Sequence, residues 1–579
     1  MTRSKALERR LSTTVLVIGT GGSGLRAAIE VAEHGVDVLA VGKRPRQDAH
    51  TSLAAGGINA ALGTMDAEDS WQQHAADTIK ESYLLANPHT VEIVAQGAEE
   101  GIRDLERYGM DFAREDDGRI SQRFFGAHTY RRTAFAGDYT GLEIQRSLVG
   151  RTEQLDIPIL DTVYITRILV NDNTVFGAYG FDLVDGTRYL IHADAVILAA
   201  GGHNRIWRRT SSRRDENTGD AFRLAVEAGA RLRDPELVQF HPSGILEPEN
   251  AAGTLISEAA RGEGGILRNA LGERFMARYD PERMELSTRD RVALAAYTEI
   301  KEGRGTANGG IWLDVSHLPR ETIMTRLPRV YQTMLELQML DITKEPIEIA
   351  PTAHYSMGGV WVRPDDHGTD VDGLYAIGEA SSGLHGANRL GGNSLIELLV
   401  FGRIVGQAAI AHSAGLDAQR RSAEAVAEAR AEIDELLAAD GTENVRALQR
   451  AIRDTMTEHA GVVRDEAGLT AGLAELDAIE ARIADVGIHP DIAGFQDLAH
   501  AFDLKSSALA ARATLEAARE RRETRGCHNR SDYPDLDPSL QVNLVWSPRT
   551  GVVRESIPPV PDEIAALMQD VDTTGKLVE

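Results

Sequence analysis

The stretch Thr14–Ala28, TVLVIGTGGSGLRAA, constrains the chain more than any other. A short β-branched apolar run stops at Gly19, and a helical pattern starts near Gly24 and runs to about Glu33. That order suits a buried parallel strand followed by a helix. The spacing Gly19-x-Gly21-x-x-Gly24 gives a tight turn, close approach of the backbone to a pyrophosphate, and close helix–strand packing. The N–H groups that open the helix then face phosphate oxygens. The turn, including Gly22 and Ser23, therefore predicts a dinucleotide site.

The second strand of this unit, Val36–Val41, runs into Gly42–Lys43–Arg44. An acidic residue usually ends that strand and holds a ribose, so Lys43 points away from NAD and towards another dinucleotide such as FAD. Next, His50–Thr51 leads into Gly56–Gly57, where small residues let the backbone approach a flat ligand. Pro88–Tyr108 reads as an amphipathic helix. Strands Val175–Leu183 and Tyr189–His192 flank a hairpin turn at Asp185–Gly186, and a buried strand Ala193–Ala200 ends in Gly201–Gly202. Residues 243–353 lose this rhythm, as an inserted cap that closes over a site does. The first pattern resumes at Gly373–Glu379 and a helix near Ser394–Gln407.

Helical periods then run over Ser422–Ala438, Glu443–Glu458, Ala474–Val486 and Phe495–Glu523, with apolar residues every three or four positions. A strand-like Leu540–Val545 and a proline-rich Ile557–Pro561 precede an end expected to fray. The expected fold is α/β: a Rossmann-like FAD-binding domain (1–242 and 354–419) interrupted by an α+β capping domain (243–353). A C-terminal helical bundle (420–527) and a tail (528–579) follow.

Composition excludes several partners. The excess of 88 acidic over 62 basic residues, a net charge of −26, argues against nucleic acid and anionic lipid. The single cysteine, Cys527, rules out an intramolecular disulfide and an iron–sulfur cluster held by this chain alone. The most apolar run, Leu395–Ala411, is broken by Glu397 and Arg403. Arg9–Arg10 before Leu11–Ile18 is not read as an export signal, because cleavage there would remove the cofactor strand. The chain reads as soluble and cytoplasmic, and no metal site is expected.

Four distant segments carry polar residues in glycine-rich company: Phe240–Gly244 with His241, Ser257–Gly265 with Glu258 and Arg261, Pro351–Gly359 with His354, and His385–Leu395 with Arg389. Together they suit a small dicarboxylate, gripped by bidentate arginine and by histidine. Ser287–Thr288–Arg289–Asp290 looks like a helix start with Ser287 as N-cap and Asp290 in a capping-box variant. A cation in that first turn opposes the helix dipole by roughly 0.3–1 kcal/mol, which marks Arg289 as a site residue.

From about Thr14 to about Arg530 the chain resembles the flavoprotein subunit of succinate dehydrogenase and fumarate reductase. The segment His50–Thr51 with Gly56–Gly57 is similar to the family's covalent flavin attachment segment, which implies FAD bonded through His50. Lys43 is also the family's residue at its position. Asp220 in Thr218–Gly219–Asp220, Glu379, and Ser394–Leu395 are similar to further FAD contacts. The resemblance implies that His241, Ser257, His354 and Arg389 hold the dicarboxylate, with Phe125 beside it. It implies that Arg289 exchanges a proton with substrate, relayed by Glu258 and Arg261. Ser257 stands where the best-known members have threonine, and Ala55 where glutamine is usual. The implied partners are an iron–sulfur protein and, through it, membrane anchor subunits, which would place the chain peripherally on the inner face of the cell membrane. L-aspartate oxidase resembles Leu255–Ala259 but lacks the flavin-linking histidine. A non-catalytic flavin-binding module is the reading of another class, against which the presence of Arg289, His241 and Arg389 argues.

Overall fold

A computed structural model describes residues 7–490 and 494–568. The strand Glu8–Ile18 lies inside a seven-stranded sheet, parallel to Val38–Val41 on one side and to Arg188–Leu198 on the other. Its side chains alternate between two cores. Val15 and Val17 join a cluster with the helices Gly22–Glu33 and Asn393–Gly415, while Leu16 and Ile18 pack with the meander and the C-terminal helices. Burial on both faces is why the run reads as continuously apolar.

The sequence pattern separates Tyr189–His192 from Ala193–Ala200, but the two form one strand, Arg188–Leu198. Its halves have different neighbours. Residues 188–192 pair antiparallel with Gly177–Phe181, and 196–198 pair parallel with Leu374–Ala376. The second strand is shorter than expected, at Val38–Val41, and the helix expected at Ser394–Gln407 extends over Asn393–Gly415. By length and composition that helix alone among those described is apolar enough to cross a membrane. It packs instead across Gly22–Glu33, where Gly402 and Gly406 meet Arg26 and Glu30. Its Glu397 is satisfied internally by His385 at 3.0 Å and by the Tyr355 hydroxyl at 3.1 Å.

A four-stranded antiparallel sheet, Val238–Ile245, Ile347–Ser356, Ile311–Asp314 and Ile266–Arg268 in spatial order, carries the inserted segment. Its first two strands in that order straddle residues 242 and 353. Two bulges shape it: Gln239 faces Tyr355 and Phe240 faces Ala353, which leaves His354 without a partner, and Pro242–Ser243 bulge beside His241. Bulges re-aim side chains in this way. The helix Arg289–Glu299 has Thr288 and not Ser287 at its N-cap position, and no side chain caps it. Asp290 closes no capping box, because its carboxylate accepts from the Tyr83 hydroxyl (2.7 Å) and from Asn388 (3.1 Å).

The C-terminal helices are Ala423–Ala438, Val445–His459, Glu466–Ile483 and Gln496–Glu520. The third opens at Glu466 and not at Ala474, capped by Asp465, which accepts from the Gly468 N–H at 2.7 Å. Gly468 and Gly472 hide its apolar period, and Gly472 is needed where the helix meets His459 and Leu515. Arg521 ties the last helix to the cofactor domain through Asp234 and Glu236 at 3.1 and 2.6 Å, and Glu523 from its own segment lies 3.2 Å away. The tail folds back: Val542–Ser547 pairs with Leu232–Arg233 and with Gly551–Ser556. After Pro561, where fraying is expected, a short helix Asp562–Ala565 forms instead, and the positions beyond 568 lie outside the described residues.

Candidate active site

Gly19 sits at φ +115°, and a Cβ there would lie 2.1 Å from the Ala199 carbonyl oxygen. A Cβ on Gly24 would lie 1.9 Å from the Gly19 oxygen. Both positions therefore exclude any side chain, and the helix Gly22–Glu33 starts tight against the strand. Gly19, Gly21 and Ser23 line one end of a cavity of about 1520 Å³. Gly22 and Gly24 do not line it: the Gly22 N–H donates to Thr51 Oγ1 at 3.0 Å, and Gly24 serves packing. The turn, bare of side chains at Gly19 and Gly21, and the first-turn N–H groups fit a dinucleotide pyrophosphate.

The same cavity is lined by Lys43, His50, Thr51, Gly56, Gly57, Asp220, Glu379, Ser394 and Leu395. Lys43 and Asp220 meet at 2.5 Å, with Asp503 3.7 Å from the ammonium, and the Tyr164 hydroxyl sits between the two carboxylates, 3.0 Å from Asp220 and 2.8 Å from Asp503. Burial disfavours the Asp220 charge, yet Lys43 outweighs it and holds the carboxyl below its usual range. His50 Nδ1 lies 2.9 Å from Glu216, which leaves Nε2 as the ring's other nitrogen. Burial alone would lower the imidazole, but the Glu216 hydrogen bond and charge raise it. Glu216, although buried, is in turn held at about 2. Glu379 accepts from Asn204 (2.6 Å) and from the Ser356 N–H (3.0 Å), and burial raises its pKa.

The far end gathers Phe125, His241, Ser257, Glu258, Arg289, His354 and Arg389. Arg289 Nε donates to Glu258 at 2.8 Å, and the other Glu258 oxygen is 3.7 Å from Arg261. Burial penalises the Glu258 charge, but the two arginines overcome this and hold it at about 2. Arg261 lies behind the cavity wall, donating to the Glu285 carbonyl at 2.6 Å. His241 Nδ1 accepts from the Ser243 N–H at 3.2 Å, which fixes a neutral tautomer with the proton on Nε2. Burial and then Arg289 hold His241 well below the usual range, and burial and Arg389 do the same for His354. The two rings stand edge to face, 5.4 Å apart. Arg389 lies over the Tyr355 ring at 4.1 Å, hydrogen-bonds Ser394, and is lowered to about 10 by burial and by Arg289.

Beyond this chamber the cavity is rimmed by Arg205, Arg209, Arg214, Arg446, Arg450 and Arg453, none in an ion pair among the described residues. Burial and the charges of Arg453 and Arg214 lower Arg205 to about 10.

Sequence reasoning missed four second partners: Glu216 on His50, Ser211 on His354 (2.9 Å), Asn204 on Glu379, and Gln239. Gln239 alone had a usable signal, since the strand period of two puts it on the side of His241.

Residues 14–395 match the family model of the FAD binding domain, and residues 449–560 match that of the fumarate reductase flavoprotein C-terminus. The chain is 42% identical over 534 residues to a subunit of the fumarate reductase (CoM/CoB) of Methanothermobacter marburgensis, covering 92% of this chain and 96% of that one. It is 37% identical to the succinate dehydrogenase flavoprotein subunit of Rickettsia bellii, covering 90% of each. Among solved structures, Mycobacterium smegmatis Sdh1 in complex with UQ1 is similar at a TM-score of 0.87 and 38% identity, over 96% of each chain. Quinol fumarate reductase of E. coli is similar at 0.90 and 31%, over 96% of this chain and 99% of that one. The glycine turn, the cavity and these likenesses along nearly the whole length agree: the chain is an FAD-dependent oxidoreductase that belongs to the succinate dehydrogenase and fumarate reductase flavoprotein family.

Proposed function

We propose that this flavoprotein interconverts succinate and fumarate on FAD linked covalently through His50. Electrons pass to a separate iron–sulfur protein and through it to quinone at membrane anchor subunits, so the chain works peripherally on the inner face of the membrane. One observation carries the reading: Arg289, Arg389, His241 and His354 converge on a chamber continuous with the dinucleotide turn. FAD bound there supplies hydride exchange with one substrate carbon.

The chain's residues do the rest. Arg389 and the Nε2–H of neutral His241, with His354 and Ser257, bind the two carboxylates and fix the reacting carbons. Phe125 and the cap, residues 243–353, exclude water. Arg289 exchanges the proton at the neighbouring carbon. A guanidinium does not stay neutral, so that proton moves in concert along Glu258 and Arg261, the order in which these groups touch. Lys43, Asp220, Glu379, Ser394 and Leu395 hold the cofactor with Gly19, Gly21, Ser23, Thr51, Gly56 and Gly57, while Gly22 and Gly24 shape the turn from behind the cavity wall.

The test is the mass of the purified chain with a succinate–fumarate assay. An added FAD on the His50 peptide, with turnover, supports the reading. Flavin released by acid with turnover of aspartate would instead identify an L-aspartate oxidase. The 42% likeness to a CoM/CoB fumarate reductase favours a second reading of the electron path, in which fumarate reduction draws on CoM/CoB and not on quinol. Supplying each donor to the isolated complex separates the two.

A further inference from the structure

We infer that Gln239 is a positioning residue that keeps the two active-site arginines apart and aimed, and that it must be both an acceptor and neutral. The inference rests on the dicarboxylate reading above. Gln239 is fully buried. Its Oε1 accepts from Arg289 Nη1 at 3.2 Å and from Arg389 Nη2 at 3.1 Å. Its Nε2 donates to Asn388 Oδ1 at 2.9 Å and to the Arg389 carbonyl at 3.1 Å. A backbone carbonyl only accepts, so the amide has one orientation, with its oxygen towards the arginines.

Two guanidinium groups on one oxygen repel each other in a site shielded from water. The carbonyl dipole puts its negative end between them and offsets that repulsion without cancelling either charge. Glu258 already neutralises part of Arg289. A second carboxylate at position 239 would pair with Arg389 as well and compete directly with the substrate's own carboxylate. An apolar side chain of the same length would leave the cations facing each other, and Arg389, already lowered to about 10, would lose an acceptor for its charged form. Asn388 is itself anchored by Glu81 at 2.6 Å and Asp290 at 3.1 Å, so the amide is fixed from behind.

The experiment compares the flavin-loaded wild type with Gln239→Glu and Gln239→Met. Malonate binding is read from the flavin absorbance, and kcat and KM for succinate and fumarate are read from about pH 6 to about pH 11. Gln239→Glu is expected to weaken malonate and raise KM by about tenfold or more, and to move the alkaline limb of kcat/KM upward. Gln239→Met is expected to lower kcat by about tenfold with a smaller change in KM, and to move that limb downward by about one unit. Opposite displacements are a signature that loss of packing does not produce. Equal effects from both variants, or an unmoved limb in both, overturn the inference. If Gln239→Glu does not fold, the downward displacement in Gln239→Met decides alone, with Gln239→Asn as its short-chain control. A wild type that neither binds malonate nor turns over a dicarboxylate would sink the functional reading, a distinct outcome.

Discussion

Replacing Lys43 by methionine isolates one electrostatic term in the cofactor domain. Its ammonium sits 2.5 Å from Asp220 and 3.7 Å from Asp503, both almost wholly buried. With an effective dielectric of about 20, those separations correspond to about 7 and about 4.5 kcal/mol of attraction. Desolvation of the lysine offsets much of this. Removing the cation alone strands two neighbouring carboxylates, and such a loss costs about 3–5 kcal/mol. The pH dependence gives the sign. In the wild type the Asp220 pKa is depressed, so its contribution is present above the ordinary carboxyl value and is lost as the pH falls through the folded value. In Lys43→Met, burial raises the Asp220 pKa with Arg223 and the Tyr164 hydrogen bond left to lower it, so the penalty stands at neutral pH and is relieved as the pH falls and a proton binds. Urea unfolding should therefore show a gap of about 3–5 kcal/mol at pH 7 that narrows by pH 5, while Lys43→Arg stays close to wild type. A gap under about 1 kcal/mol, or one independent of pH, would refute the reasoning.

Gly24→Ala forces a methyl to within 1.9 Å of the Gly19 oxygen, so the purified variant should fold yet carry little flavin, measured as the absorbance ratio at 450 and 280 nm. Arg521→Met leaves Asp234, Glu236 and Glu523 buried together and should lower stability by about 3–5 kcal/mol, read by thermal melting, with the flavin site chemically intact. His241 and His354 are held well below the ordinary imidazole value, so malonate affinity should show no histidine transition between about pH 6 and about pH 8; a tenfold gain on acidification would contradict that. Arg289→Lys should bind malonate normally but lose nearly all turnover; substantial turnover would remove Arg289 from proton exchange.

The strand–turn–helix at Gly19 is legible because every element of it is local: a β-branched run, a fixed glycine spacing, a helical period. The polar loops are legible as chemistry but not as geometry. Nothing in their spacing reveals that His354 is the unpaired residue of a bulge, or that Lys43 lies against Asp220, which is 177 residues away. Segments that serve two neighbours are ambiguous in sequence. The strand Arg188–Leu198 changes partner halfway and reads as two, and Asp290 reads as a cap because its true partners, Tyr83 and Asn388, come from elsewhere in the chain. Glu216 gives no sign at all, since the run Arg213–Arg214–Asp215–Glu216 looks like any solvated turn.

The rim of unpaired arginines has a consequence for traffic into the pocket. Arg446, Arg450 and Arg453 stand at i, i+4 and i+7 of one helix, an arrangement that weakens the helix by a few tenths of a kcal/mol per pair. A doubly negative solute far away meets a body carrying −26 and is turned back, but close to the opening it meets guanidinium groups that outnumber the carboxylates Glu247, Glu249 and Asp454. At physiological ionic strength the Debye length is about 8 Å, so the distant barrier is muted while the near attraction survives. Capture should thus quicken with the first additions of salt and slow only at higher concentrations, the reverse order from a uniformly basic protein.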